Sequence, residues 1–216
     1  MTAASEQALQ GLRDLSTLKW YVIPLLAIVF YIYTLEIQKA RKSGNWNAIF
    51  AGVTLFGIDF FHETWNGWIF ACTRYSAFWT TPGETALRTM VGWNIEIMFM
   101  FSIAGIIYYN TISEENRGRI LKLPESWFWV LVYAAFCVFI ECLLNLGGHL
   151  VWEYPWWRLS FGGIWLIFCA YFSLFAGALL VTRLKTVKKK IAAITALYGI
   201  AVLMNLIALG ILGWVY

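Results

Sequence analysis

Charge is scarce in this sequence. Asp, Glu, Lys and Arg make up 13% of its 216 residues, where a soluble domain carries about 25%. With 61% hydrophobic residues and a mean hydropathy of +0.67, the chain reads as a membrane protein. Histidine is nearly absent: there are 2, whereas membrane desaturases and hydroxylases rely on many. The 4 cysteines include no Cys-x-x-Cys pair, which removes the usual redox and zinc-ribbon signatures. No Gly-x-Ser-x-Gly elbow is present, so a serine hydrolase of that design has no nucleophile. There is no phosphate loop and no nucleic-acid motif, and the net charge of +4 comes from cations clustered in a few loops, so no nucleic-acid partner is called for. No internal repeat or linker divides the chain, and a polar, mixed-charge stretch stands where a cleavable signal would begin.

What the sequence does have is apolar length. Six runs of about 20 residues, the length needed to cross a bilayer core, cover Trp20–Ile37, Trp46–Ala71, Val91–Tyr109, Ser126–Leu146, Ser160–Val181 and Ile191–Val215. The expected fold is therefore an all-α integral membrane protein. Residues 20–216 form a single six-helix transmembrane bundle, preceded by a tail or interfacial helix over residues 1–19. Leu9, Leu12, Leu15 and Leu18 recur at three-residue spacing in that first segment, which predicts a short amphipathic helix at the membrane surface. The most polar stretch, Asn110–Glu125, and the pair Gly147-Gly148 mark a loop and a helix end. Of the 16 Lys and Arg, eleven fall in the first, third and fifth loops, five of them between Arg183 and Lys190. The positive-inside rule puts those loops in the cytoplasm and both termini on the other side.

Against this background one stretch stands out. Ile58–Asn66 lies within a spanning run yet carries Asp59, His62, Glu63 and Asn66, at helical spacings that share one face. Ionisable groups at membrane depth cost roughly 2.5 kcal/mol or more each on insertion scales and mark function by default. With the topology above, Asp59, His62, Glu63, Glu96 and Glu141 all fall in the outer half of the bundle, as do Asn145 and Asn205, and the inner half is nearly free of polar side chains. This segregation predicts one shared cavity, with Asp59, His62, Glu63, Glu96 and Glu141 as catalytic candidates. Trp65, Asn66, Arg74, Trp93, Asn145 and Trp152 are the candidate substrate contacts. The Arg74-containing loop and the loop from Trp152 to Arg158 are its expected lid, and Arg74 or Arg88 can pair with Asp59 or Glu63. Glu36, beside Lys39 at a helix end, is expected to be solvated, and the intramembrane asparagines, Asn94 among them, can equally be interhelical glue.

Four carboxyls in low dielectric cannot all ionise, so one or more is a neutral proton donor. An acid facing an aromatic-lined apolar cavity can protonate an alkene or epoxide. Trp and Tyr rings then stabilise the cation, and a second carboxylate or His removes a proton. The arrangement of His62 and Glu63 followed by Gly67-Trp68, with Glu96 on the next helix, resembles that of the emopamil-binding (EXPERA-type) sterol isomerases. In that family acids and a His on successive helices shift a double bond. A small helical bundle with intramembrane acids is also similar to the membrane-bound terpene cyclases of meroterpenoid pathways. Both resemblances imply an isomerase or cyclase acting on an isoprenoid or sterol-like lipid, without a cofactor. Two other classes compete. Asp59, His62, Glu63, Glu96, Glu141 and His149 can ligate iron or zinc in a metal-dependent lipid-modifying enzyme, and an acidic cavity can serve a proton- or cation-coupled transporter. A structural or partner-binding subunit also fits the composition.

Overall fold

The computed structural model describes residues 1–112 and 118–216. Residues 113–117, in the middle of the polar Asn110–Glu125 stretch, lie outside the described residues. A short helix α1 (Ala3–Leu9) is followed by six longer ones: α2 (Val22–Ser43), α3 (Asn47–Thr73), α4 (Ile95–Thr111), α5 (Glu125–Leu146), α6 (Phe161–Thr182) and α7 (Val187–Asn205). Two small hairpins punctuate them, β1 (Arg88–Met90) with β2 (Trp93–Asn94), and β3 (Arg119–Ile120) with β4 (Leu123–Pro124). Among the described residues, four helices are long and apolar enough to cross a membrane by length and composition: α2, α5, α6, and α7 with its π-helical extension Leu206–Ile211. Helix α4 is apolar but only 17 residues long, and α3 carries the polar face centred on Asp59–Asn66.

Local chemistry sets the helix ends. Pro24 sits in the first turn of α2, where its missing N–H costs nothing, and Gly44 closes that helix with φ 75° and its N–H on the Ala40 carbonyl. Ser160 and Thr186 cap α6 and α7, their hydroxyls accepting from the backbone N–H of Gly163 and Lys189. Gly147 caps α5, and Gly148 takes the left-handed turn after it. Helix α4 starts at Ile95 rather than Val91, because Trp93 and Asn94 first pair with β1. Asn94 then accepts from Ile97 N–H at 3.0 Å, so it is a helix cap and not interhelical glue.

Helix α3 is the hub, packed along α4, α6 and α7, with 12 buried residues. Its approach to α4 depends on small residues: a Cβ at Gly105 would lie 2.3 Å from the Ala51 carbonyl oxygen. Leu55, Phe101, Tyr108, Val130, Leu174 and Phe175 form the main apolar core. Only Val22, Glu36 and Ala40 of α2 are buried. Glu36 is therefore not solvated: it is 7% exposed, bonded to Lys39 at 2.7 Å and to the Asn110 amide at 3.0 Å.

The N-terminal segment differs most from expectation. The helix stops at Leu9, Gly11 and Arg13 turn the chain at positive φ, and Leu15 and Leu18 are exposed rather than forming one apolar stripe. The segment caps the loop between α3 and α4. Thr2 N–H bonds the Tyr75 carbonyl, Ser5 bonds Ser76, and the buried Arg88 guanidinium donates to the carbonyls of Ala8, Gln10, Thr81 and Gly83. Arg88 is thus spent on backbone carbonyls and pairs with neither Asp59 nor Glu63. Burial draws its guanidinium below the ordinary arginine range, with nearby Glu96 opposing the shift. At this same capped end, Arg13 bonds the Tyr216 carbonyl at 2.9 Å, and the Tyr216 ring packs on Gly67. Lys39, Lys42 and Arg183 line a separate cavity at the opposite, basic end.

Candidate functional site

Three acids and one histidine meet, as α3 geometry dictates. Asp59, His62 and Glu63 fall within one turn and a step on a single face, and Glu141 comes from α5. All four line one cavity, walled also by α4 and α6. The cavity holds about 90 Å³ and its surface is largely apolar, with Phe101, Phe136, Ile140, Ile167, Tyr171 and Leu174 among its lining residues. The three carboxyls are 4–5% exposed.

Each carboxyl is held by an indole. Trp93 Nε1 donates to Asp59 Oδ2, Trp79 Nε1 to Glu63 Oε1 and Trp152 Nε1 to Glu141 Oε1, each at 2.8 Å. Indole offers only a donor, so the oxygen it meets must act as acceptor, and any proton on the carboxyl sits on the other oxygen. For Glu63 that other oxygen, Oε2, is buried without a hydrogen-bond partner among the described residues. The Tyr171 hydroxyl lies within electrostatic reach of Glu141. His62 Nε2 is 3.3 Å from Ser173 Oγ, whose own proton goes to the Ala170 carbonyl, so the ring nitrogen is the donor in that contact. The ion pairs Lys19–Glu84 and Lys39–Glu36 both lie away from the cavity, and no Lys or Arg is among its described lining residues. Carboxyls with no cation beside them cannot all carry charge in such a setting.

The fourth acid is elsewhere. Glu96 does not line the cavity; it ties the start of α4 to the capped end. It accepts from Tyr21 and Thr85 at 2.5 Å and from Ala86 N–H at 2.9 Å, which leaves neither oxygen free. Depth and the resemblance both point to Glu96, but its partners Tyr21, Thr85 and Ala86 lie on segments that neither can locate. Trp65, two positions or roughly 200° around the helix from Glu63, is 46% exposed on the outer face and touches nothing in the site. Arg74 ends α3 in a left-handed turn (φ 52°), exposed and away from the cavity, so it is no lid residue. Asn145 folds the α5 end by bonding the Leu150 carbonyl at 3.0 Å. Asn66 stands above the cavity, where Oδ1 accepts from Phe78 N–H and Nδ2 donates to the Trp79 carbonyl, both at 2.8 Å. Trp93 and Trp152 act through Asp59 and Glu141. Asn205 is interhelical glue, donating to Thr64 at 2.7 Å. His149 is exposed, and no three His, Cys, Asp or Glu among the described residues converge as metal ligands.

Sequence reasoning missed Trp79, Trp157, Tyr171 and Ser173. The available signal was the count of 13 Trp, more than interfacial belts need, but a count does not say which indoles turn inward.

The chain is 36% identical over 214 residues to a protein of Archaeoglobus fulgidus described as an uncharacterized protein, and the match covers 99% of both chains. No solved structure matches it. A family model matches residues 2–210, and together with the apolar helices it makes this an integral membrane protein. The chain belongs to that family, an uncharacterized membrane protein family.

Proposed function

We propose that this protein is an intramembrane acid–base enzyme, an isomerase or cyclase that acts on an apolar isoprenoid or sterol-like lipid through a carbocation. One observation carries the reading: Glu63 lines the apolar cavity with one oxygen fixed by Trp79 and the other buried without a hydrogen-bond partner among the described residues. A proton on Oε2 meets no hydrogen-bond acceptor among the described residues, and an alkene carbon seated in the cavity beside Glu63 is its recipient. Transfer converts Glu63 to the carboxylate, stabilised by the Trp79 N–H, and leaves the positive charge on the lipid, beside the rings of Trp79, Trp157 and Tyr171. Glu141 or Asp59, each with one oxygen oriented by an indole, then takes a proton from a carbon next to the cation. The double bond re-forms one position along, and the proton gained by the base returns to Glu63 for the next turnover. His62 adjusts the field of the donor. The role of cation stabiliser or base falls to Glu141 and Asp59, since both Glu96 oxygens are engaged.

The same reading takes six helices across the bilayer, with both termini outside. Two features support it. The Arg13–Tyr216 contact puts the two ends of the chain together, as an even number of crossings requires, and Lys39, Lys42 and Arg183 gather at the opposite end.

The test is mass spectrometry of lipid retained by the purified protein, followed by turnover of that lipid by the wild type and Glu63→Gln. An isoprenoid or sterol is expected, with a rate loss of roughly 10²-fold or more in the variant, which keeps shape and binding but cannot give up the proton. Proton flux in vesicles with no lipid conversion, abolished by the same substitution, would make the protein a transporter instead.

A further inference from the structure

The cavity is shut at the capped end and open at the side. Above it, Thr80 and Val151 exchange both backbone hydrogen bonds, at 3.0 and 2.8 Å, which locks the two loops at that end together. Beneath that bridge Trp157 stacks on Trp79 and Phe78, with ring centres 5.7 and 5.3 Å apart, and Asn66 pins the Phe78–Trp79 backbone. Sideways the wall is thin. Helix α4 packs on α3, α5 packs on α6, and α4 and α5 meet only sparsely. Met100 of α4 and Phe136 of α5 flank that seam; both line the cavity, and they are 45% and 57% exposed. At this seam the cavity lining reaches the surface.

Size narrows the ligand. An apolar cavity of roughly 150 Å³ holds one benzene ring; the space here is about 90 Å³ and opens sideways, so it takes only the tip of a ligand whose remainder lies in the seam. A fused sterol nucleus, or a chain folded for ring closure, far exceeds that space, whereas the narrow branched tip of a single chain suits it best. Chemistry narrows it further. Protonating a trisubstituted alkene places the charge on a tertiary carbon, whereas a straight-chain alkene gives a less stable secondary cation. We infer that the site takes the methyl-branched, unsaturated end of an acyclic isoprenoid, which enters sideways between α4 and α5 while the rest of its chain stays in the bilayer. This rests on the acid–base reading and makes the reaction a double-bond shift. Glu63 Oε2 gives one proton to the terminal alkene, Glu141 or Asp59 removes one from the adjacent carbon, and the lipid keeps its composition, so no oxidant or reductant is needed.

The experiment uses the full chain in nanodiscs with two photoreactive probes, a diazirine-bearing farnesol and a diazirine-bearing cholesterol. Farnesol probe is expected to label the peptides carrying Met100 and Phe136, with labelling competed by unlabelled farnesol. It should be abolished by Ala170→Trp, which fills the cavity from α6, and by Ile140→Trp, which fills it from α5. Cholesterol probe should give no competable labelling there. Competable labelling by cholesterol, or farnesol labelling indifferent to both substitutions, would overturn the inference. Glu63→Gln separates the two claims. If farnesol labels the seam but the substitution spares turnover, the lateral site stands and the acid–base chemistry falls. If turnover is lost while farnesol never labels, the chemistry stands and this occupant falls.

Discussion

Glu63 and Glu96 have the same side chain at similar expected depth and opposite fates. Glu63 keeps one buried oxygen without a hydrogen-bond partner among the described residues, while Glu96 spends both on Tyr21, Thr85 and the Ala86 N–H. Glu96→Gln cannot accept at both ends. It should cost about 1–3 kcal/mol in stability, read as a lower thermal midpoint in detergent, while turnover per folded molecule stays unchanged. Trp79→Phe should do the reverse. It retains the ring but removes the N–H that fixes Glu63 Oε1, so turnover should fall while the fold persists, measured on the same lipid. The sequence placed both glutamates on one list because periodicity reports face and depth. It cannot report partners: Tyr21 lies 75 residues from Glu96, and Trp79 lies 16 from Glu63 across a loop. Glu36 shows the same limit, since one of its partners, Asn110, lies 74 residues away.

Among the elements, α3 was the most legible. Its apolar length and the i, i+3, i+4 spacing of Asp59, His62 and Glu63 fixed both its extent and the face that lines the cavity. Its packing against α4 was not visible, because a glycine in an apolar run looks alike whether it faces lipid or a neighbour's backbone. Gly105 faces the Ala51 carbonyl, so Gly105→Leu should push α4 off α3 and cost roughly 1–3 kcal/mol, with Gly105→Ala milder; thermal unfolding of the two variants checks the order. The start of α4 and the N-terminal segment escaped the sequence for a different reason. The N-terminal segment and the β1–β2 hairpin hold one another through the Arg13 N–H on the Arg88 carbonyl and the Arg88 guanidinium on the Ala8 carbonyl, and side-chain periodicity carries no record of such long-range bonds.

At the scale of the whole molecule, the bundle divides into a capped end, a carboxyl cavity and a basic end. In a background with the four native cysteines replaced, Lys188→Cys should react with an impermeant thiol reagent only from the cytoplasmic side and Glu84→Cys only from the other. Reaction of Lys188→Cys from outside would invert the topology. The central claim is that the buried carboxyls exchange protons with carbon atoms of a lipid, and solvent deuterium tests it most directly. Protein reconstituted in vesicles containing acyclic isoprenoids and sterols, incubated in D2O, should place carbon-bound deuterium in the isoprenoid fraction, and Glu63→Gln should not. The absence of carbon-bound deuterium from every lipid, or its incorporation by Glu63→Gln at the wild-type rate, would contradict the account.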